Sequence, residues 1–217
     1  PLGVGLGSSS ACCVAGAAAI SRLYSNTSKE EILELAIEAE KTIFQNTSGA
    51  DCTVCTYGGI MEYNKEKGFT KIQSEPNFHL VIANSNIEHS TELVVKEVKS
   101  FKEKNEEEFL KLCSDETNLV EDVLKLLKEN NAKELGEKIN QNQKYLETIG
   151  VSNEKIKEMI QIGIKSSFGV KITGAGGGGC IFALTDETNL DETIKQFRNE
   201  NYECFSVKID LQGLNTF

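Results

Sequence analysis

The sequence is short of the features that mark several common functional classes. Basic residues are scarce: 23 lysines and arginines stand against 33 aspartates and glutamates, a formal charge of -10, which repels nucleic acid and anionic membrane surfaces. No apolar run approaches the roughly 20 residues that span a bilayer, and the N-terminus lacks the charged-then-apolar layout of a secretory signal. We therefore expect a soluble, cytoplasmic protein that binds neither nucleic acid nor membrane.

Histidine is also scarce, and cysteine is odd in number, with two and seven residues respectively. Most cysteines lie in apolar stretches, as expected of reduced thiols that pack as small hydrophobic side chains. The pair Cys52 and Cys55 has C-x-x-C spacing, but no second pair completes a zinc site. A strand at this place would put the two thiols on opposite faces, so a metal or redox role is disfavoured.

What is present suffices for a folded core, because 39% of the 217 residues are hydrophobic. Residues Ser8 to Tyr24 predict a buried helix capped by serine. Ser28 and Glu31 have the spacing of a capping box, which predicts a second helix running to about Phe44. Cys52 to Tyr63, and Gly68 to Gln73, resemble strands.

The second half of the chain alternates strands and helices in a recognisable order. We predict, in sequence, a strand at 78–83, helices at 91–130, 132–146 and 153–166, a strand at 170–173, a glycine run at 174–179, a strand at 180–185, a helix at 190–199 and a strand at 203–210. This is the order of a ferredoxin-like split βαβ with extra helices inserted. Pro76 marks a border, so we expect an α+β protein with domains at 1–75 and 76–217.

Two glycine-rich segments are candidates for binding anions. The first, Gly3 to Ser10, runs into a helix whose N-terminus offers unpaired N–H groups and a positive dipole end; it lacks the lysine of a Walker A loop, and a plain glycine-rich turn is the alternative. The second, Gly174 to Gly179, matches G-x-G-x-x-G, but a strand follows it where a dinucleotide fold needs a helix. A hairpin turn alone would hardly require so many glycines.

Two acidic residues stand out between these segments. Glu40 has apolar neighbours three and four residues away, so its carboxylate faces the buried side of its helix and must be paired, bind a metal or take up a proton. An internal salt bridge, or a position at the edge of the apolar face, is the alternative. Asp51 follows a turn 11 residues later, where an aspartate is commonly just a turn former.

Taken together, these segments resemble the motifs of the GHMP small-molecule kinases, and within that family the mevalonate kinase branch fits best. The resemblance covers nearly the whole chain. It rests on Pro1–Ala11, Ser48–Asp51, Tyr57–Gly59, Asn142–Leu146, Ile149–Val151 and Lys171–Cys180. It implies the remainder of a ribosomal-protein-S5-like N-terminal domain followed by the ferredoxin-like C-terminal domain, and by family analogy a homodimer.

The resemblance also implies a role for individual residues. The backbone of Gly3, Gly5, Leu6, Gly7, Ser8 and Ser9 would hold the phosphates of ATP. Ser9 and Glu40 would ligate Mg2+, and Asp51 would be the catalytic residue that faces the attacking hydroxyl. Gly174, Ala175, Gly176 and Gly177 would close over the phosphates and substrate. Thr91 matches a family threonine near the substrate, although His89 stands where the family has an arginine.

The implied activity is ATP-dependent phosphorylation of mevalonate in isoprenoid and sterol precursor biosynthesis. Residue 1 is a proline that leads directly into the glycine loop, so we expect a preceding segment, with the family's lysine motif, to be absent and the chain alone to have little activity. A phosphomevalonate kinase and a non-catalytic nucleotide-binding or dimerisation module are the alternatives.

Overall fold

The computed structural model describes residues 5–24, 27–64, 66–88 and 90–215. Their backbone forms two compact units. The N-terminal unit consists of Gly7–Gln73 with residues 209–215, and the C-terminal unit consists of residues 5–6 with Ser74–Lys208. The end of the chain therefore belongs to the same unit as Gly7–Gln73. A division of the chain at a single border near Pro76 does not describe this return. The assignment of 1–75 and 76–217 to two family domains stays a prediction.

The described part of the N-terminal unit is built from helices and one hairpin. These elements are α1 (Ser8–Arg22), α2 (Lys29–Lys41), α3 (Ala50–Tyr57), and the antiparallel strands β1 (Met61–Asn64) and β2 (Gly68–Lys71). Val14 and Ala18 of α1 pack against Ile32 and Ala36 of α2 and against Cys52 of α3, all of them buried. The small side chains of α1 allow this close approach.

The helix starts were predicted with mixed success. The capping box of α2 is confirmed, since Ser28 Oγ accepts from the Glu31 amide at 3.2 Å and Glu31 Oε2 accepts from the Ser28 amide at 2.8 Å. The serine cap predicted for α1 is wrong: Gly7 occupies the N-cap position in the left-handed conformation (φ 66°), and no side chain caps the helix. Helix α2 ends before Phe44.

The strand predicted at 52–63 is wrong over most of its length, because Ala50–Tyr57 is helical. Its β-branched and aromatic residues favour a strand locally. In the helix, however, the hydroxyls of Thr53 and Thr56 each donate to the carbonyl four residues earlier at 2.8 Å, and both side chains are buried. Tertiary packing thus overrides local propensity.

The helix also changes the geometry of the C-x-x-C pair. Residues three apart lie on the same side of a helix, so the thiols of Cys52 and Cys55 are not on opposite faces as a strand would place them. All seven cysteines of the chain are free thiols. Among the described residues no group of three or more His, Cys, Asp or Glu side chains could hold a metal.

The double glycine after α3 receives the returning end of the chain. The Gly59 amide donates to the Asp210 carbonyl at 2.6 Å, and a Cβ added to Gly58 would lie 2.4 Å from the Gly213 nitrogen. Lys71 Nζ donates to the carbonyl of Leu211 at 2.8 Å. Glycine is required here because two backbones meet without room for a side chain.

The C-terminal unit contains an antiparallel sheet with the order β4-β5-β3-β6. Its strands are β3 (His79–Asn84), β4 (Gly169–Ile172), β5 (Cys180–Thr185) and β6 (Cys204–Val207). Both neighbours of β3, namely β5 and β6, run antiparallel to it, and β4 runs antiparallel to β5. This order and these directions confirm the predicted ferredoxin-like arrangement.

The helices of this unit are α4 (Thr91–Lys104), α5 (Glu106–Glu129), α6 (Ala132–Thr148), α7 (Glu154–Gly163) and α8 (Leu190–Asn199). The single helix predicted over 91–130 is two, because Asn105 leaves the helical conformation (φ -135°, ψ 51°). The core includes Met159 of α7 and Phe197 of α8 together with Val81, Val170 and Ile181 of the sheet. Within the described ranges, no helix combines the length and apolar composition needed to cross a membrane.

Helix α6 covers the edge strand β4 with polar side chains. Asn140 Oδ1 accepts from the Val170 amide at 2.9 Å, and Gln143 Oε1 accepts from the Ile172 amide at 3.0 Å. Asn140 Nδ2 donates to the Phe168 carbonyl at 3.2 Å. These bonds satisfy the outward backbone groups that an edge strand leaves open, and they fix the strand that leads into the glycine run.

Candidate functional site

The start of α1 has the geometry of an anion-binding site. The first backbone N–H groups of a helix have no partner within it, and no side chain caps those of α1 after Gly7. Ser8 and Ser9 occupy this first turn, and Leu6, two residues before the helix, is exposed. Some of the predicted phosphate-binding residues therefore form a helix N-terminus whose N–H groups can donate to an anion. Gly3, another of them, lies outside the described residues.

Asp51 lies beside this helix start. The carboxylate projects from the first turn of α3, whose N-cap residue Gly49 is also left-handed (φ 74°) and uncapped by a side chain. A Cβ added to Gly7 would lie 3.4 Å from the carboxyl carbon and from Oδ2 of Asp51. The fold thus brings the predicted catalytic carboxylate next to the predicted phosphate loop.

Glu40 is buried, with 4% of its surface exposed, so the inward direction predicted from its helix is confirmed. Its Oε1 accepts a hydrogen bond from Ser10 Oγ, and its Oε2 accepts one from Thr47 Oγ1. Two of the apolar neighbours used in that prediction, Ile43 and Phe44, are exposed, because α2 ends at Lys41. The hydroxyl bonds hold the carboxylate in one orientation.

Negative charge is concentrated at this place. Partial burial and the nearby Glu40 carboxylate raise the pKa of Asp51. Burial, followed by the charge of Glu40, raises the pKa of the Cys52 thiol to about 12. Each added negative charge is costly here, and a bound cation would relieve that cost.

The donor set suits magnesium in the predicted position. Mg2+ typically keeps several waters and takes one or two carboxylates together with substrate phosphates, so a single oriented Glu40 carboxylate near a serine-rich helix start fits it. The serine that contacts Glu40 is Ser10. The predicted ligand Ser9 is its neighbour, partly exposed in the first turn of α1.

The second glycine segment is a tightly held loop of the C-terminal unit. It connects β4 and β5, and its residues Gly174, Gly176, Gly177 and Gly179 all have positive φ. The loop is held on one side by residues 151–153 and on another by Ile87, whose carbonyl accepts from the Gly179 amide at 2.9 Å. Gly5 belongs to the same unit, where an added Cβ would lie 3.1 Å from Thr173 Oγ1.

The substrate residue predicted near these loops, Thr91, is the first residue of α4 and is exposed. Ser90 precedes it as the N-cap and accepts from the Leu93 amide at 3.5 Å. His89, which departs from the family pattern, lies outside the described residues. A substrate role for Thr91 stays a prediction.

The sequence analysis assigned no individual role to three polar residues: Ser10 and Thr47, which contact Glu40 in the N-terminal unit, and Asn153, which contacts Gly177 in the C-terminal unit. Thr47 lies in a turn that the sequence marks clearly, and Asn153 stands at a predicted helix start. Their partners are distant in sequence, since Ser10 contacts Glu40 and Asn153 contacts Gly177. No local pattern contains such pairings.

Comparison with known proteins shows which family this chain is similar to. Residues 1–59 match the family model described as GHMP kinases N terminal domain, and residues 123–204 match the one described as GHMP kinases C terminal. The mevalonate kinase of Arabidopsis thaliana is 30% identical over 98% of this chain and 62% of its own length. That of Pyrococcus horikoshii is 36% identical over 85% of this chain and 56% of its own length.

A solved structure supports the same relationship. The crystal structure of L. major mevalonate kinase in complex with R-mevalonate superposes with a TM-score of 0.86 at 27% identity, covering 94% of this chain and 66% of that one. The chain thus spans less than two thirds of the length of these relatives.

Proposed function

Because the chain belongs to the GHMP kinases, we propose that it forms the larger part of a mevalonate kinase, which transfers the γ-phosphate of ATP to the 5-hydroxyl of mevalonate. The observation that carries this proposal is the position of Asp51, whose carboxyl group lies beside the uncapped N-terminus of α1. An acidic group next to an anion-binding helix start suits a reaction between a hydroxyl and a phosphate. Identity of about 30% or more to curated mevalonate kinases supports the choice of substrate.

The phosphates of ATP are bound by backbone groups in this mechanism. The backbone of Gly5, Leu6 and Gly7 and the first-turn amides of α1 hold the phosphates. The amides donate to phosphate oxygens, and the positive end of the helix dipole favours the negative charge of these oxygens. Ser9 and Glu40 are the residues proposed to hold Mg2+, whose chemistry when bound is to neutralise charge on the phosphate oxygens. Ser10 and Thr47 keep the Glu40 carboxylate oriented.

Asp51 acts on the other reactant. Its carboxylate accepts the proton of the 5-hydroxyl while that oxygen bonds to the γ-phosphorus and the bond from this phosphorus to the β–γ bridging oxygen breaks. Partial burial raises the pKa of Asp51, and Glu40 raises it further while that carboxylate holds no cation. The contribution from burial brings the Asp51 carboxylate closer to the pKa of an efficient base. Most of the rate enhancement comes from positioning and charge neutralisation.

The glycine run at Gly174–Gly177 closes over the phosphates and substrate, with backbone donors from Gly174, Ala175 and Gly176, and Thr91 contacts the substrate. We place the reaction in the cytoplasm, where reducing conditions suit a chain with seven free thiols. Its product would feed isoprenoid and sterol precursor synthesis. A homodimer is the assembly proposed by analogy with the family.

The test is ADP release coupled to a reporter reaction, with MgATP and mevalonate, on the longest product of the gene. Asp51→Ala and Glu40→Ala should each lower turnover by orders of magnitude while the protein stays folded. Glu38→Gln is the matched control: this exposed α2 carboxylate pairs with Lys41 at 2.6 Å and lies away from the proposed chemistry, so turnover should not change.

The substrates and ligands tested alongside separate the alternatives. Turnover with phosphomevalonate but not with mevalonate would reassign the enzyme to the next phosphorylation. ATP binding without turnover of either substrate would identify a nucleotide-binding module instead.

A further inference from the structure

We propose that Asn153 is a positioning residue for the glycine loop Gly174–Gly179, because its side chain ties Gly177 to the N-terminus of α7. This inference rests on the proposed function, in which that loop closes over the phosphates of ATP. Asn153 itself touches no reacting atom in this scheme. It acts by fixing the backbone of the loop.

The two ends of the Asn153 side chain perform separate tasks. Oδ1 accepts from the Ile156 amide at 2.9 Å and so caps α7. Nδ2 donates to the Gly177 carbonyl at 3.0 Å. A cap alone needs only an acceptor, which serine or aspartate also supplies, so the donor half of the amide is available for the loop.

The backbone next to Asn153 holds the same point from the other side. The Gly177 amide donates to the Val151 carbonyl at 2.8 Å, and Val151 is buried in the core of the unit. A Cβ added to Gly176 would lie 2.4 Å from that same carbonyl oxygen, and Gly176 has a φ of +88°. The segment 151–153, between α6 and α7, therefore determines the conformation of the middle of the loop.

This arrangement gives Gly177 a different role from its neighbours. Its N–H is bonded to Val151 and its C=O to Asn153, so Gly177 anchors the loop instead of donating to a phosphate. Glycine-rich segments lose much conformational entropy when they become ordered. With the tether intact, that cost is met during folding, and ATP binds to a loop that already has its shape.

The test replaces the amide while keeping the cap. Asn153→Ser and Asn153→Asp both retain an acceptor for the Ile156 amide, and both lose the donor to Gly177. Asn131 provides the matched control, since it caps α6 in the same unit through an acceptor bond from the Glu134 amide at 3.3 Å. Asn131→Ser makes the same chemical change at a cap that lies on another helix.

Three measurements are made on each variant, prepared in the longest product of the gene: the unfolding midpoint, the hydrogen-exchange rate of a peptide covering residues 173–180, and the affinity for MgATP by calorimetric titration. Loss of one hydrogen bond corresponds to a change on the order of tenfold. We expect both Asn153 variants to stay cooperatively folded, with the unfolding midpoint lowered by no more than the loss of this one hydrogen bond. Exchange in the loop should be about tenfold faster and MgATP binding about tenfold weaker, while Asn131→Ser changes neither.

Each other outcome has a defined meaning. Parent-like exchange in both Asn153 variants would overturn the tether. Faster exchange with unchanged MgATP affinity would show that the tether does not serve the nucleotide, which overturns the positioning role. Faster exchange in the variants, with no MgATP binding by the parent, would support the tether and overturn the proposed function instead.

Discussion

Replacing Gly136 with alanine should destabilise the C-terminal unit, although the residue lies inside helix α6, where alanine is intrinsically favoured. A Cβ at this position would lie 2.4 Å from the carbonyl carbon of Phe168 and 2.5 Å from its oxygen. These are backbone atoms at the start of β4, so no flexible side chain can move aside. The helix and the strand touch backbone to backbone.

The magnitude follows from three contributions. Alanine gains about 1 kcal/mol over glycine in helix propensity. The added methyl falls about 1 Å short of an ordinary contact distance, and overpacking of this kind costs about 1–3 kcal/mol. An outward shift of α6 would also lengthen the three hydrogen bonds from Asn140 and Gln143 to the strand, each worth about 1 kcal/mol. With an overpacking cost of about 2 kcal/mol and about half of the hydrogen-bond energy lost, the net expectation is a loss of about 2–3 kcal/mol in the free energy of unfolding.

The assay measures unfolding in urea by the hydrogen exchange of peptides, and it reports the free energy of unfolding of each unit separately. Gly16→Ala is the matched control, because Gly16 also lies within a helix, α1, and a Cβ there meets nothing within 4 Å. It should stabilise the N-terminal unit by about 0.5–1 kcal/mol. A Gly136→Ala protein as stable as the parent would refute the reasoning, since it would mean that α6 and β4 are not in close backbone contact.

Three further expectations concern ionisable groups. Asp51→Asn should abolish phosphate transfer yet raise the unfolding midpoint at pH 7. Burial and Glu40 raise the pKa of Asp51, so the parent loses stability as the pH rises through that pKa. The gain in midpoint of the variant over the parent should therefore shrink toward pH 4. A variant less stable than the parent at pH 7 would contradict this. Cys52, with a pKa of about 12 and no exposed surface, should react with iodoacetamide on the order of a hundredfold more slowly than the exposed Cys113; equal labelling by peptide mass mapping would contradict its burial. Burial lowers the pKa of Lys171, so the folded state gains stability as the pH rises from that lowered pKa toward 10.5. Lys171→Met should therefore stabilise the C-terminal unit at neutral pH by a margin that narrows in alkali, and a margin independent of pH would count against a perturbed lysine.

Local chemistry accounts for the parts of the fold that were predicted well. The capping box of Ser28 and Glu31 needs only residues three apart. Each strand of the C-terminal unit is a short run of apolar residues. The order of strands and helices along the chain matches the ferredoxin-like motif, which has a known strand order in its sheet. The buried direction of Glu40 followed from its helical spacing to Ala36 and Ile37, whereas Ile43 and Phe44 lie beyond the end of the helix and are exposed.

The failures occurred where tertiary packing opposed local preference. Residues Cys52–Tyr57 favour a strand by composition, but buried threonines hydrogen-bonded within a helix decide otherwise. The long helix expected over 91–130 is interrupted at Asn105. The charged and apolar residues around Asn105 keep a helical pattern, so the pattern did not mark the interruption. Neither result was available from spacing.

The sequence by itself determined that this chain carries two glycine loops, a helix start suited to binding an anion, and two acidic residues that match the GHMP kinase motifs, because backbone freedom and helix polarity are local properties. The tertiary structure alone decided which groups meet. The orientation of Glu40 by Ser10 and Thr47, the position of Asp51 beside Gly7, and the tether from Asn153 to Gly177 join elements far apart in the sequence. Such contacts depend on how whole helices and strands pack, which no short stretch of sequence specifies.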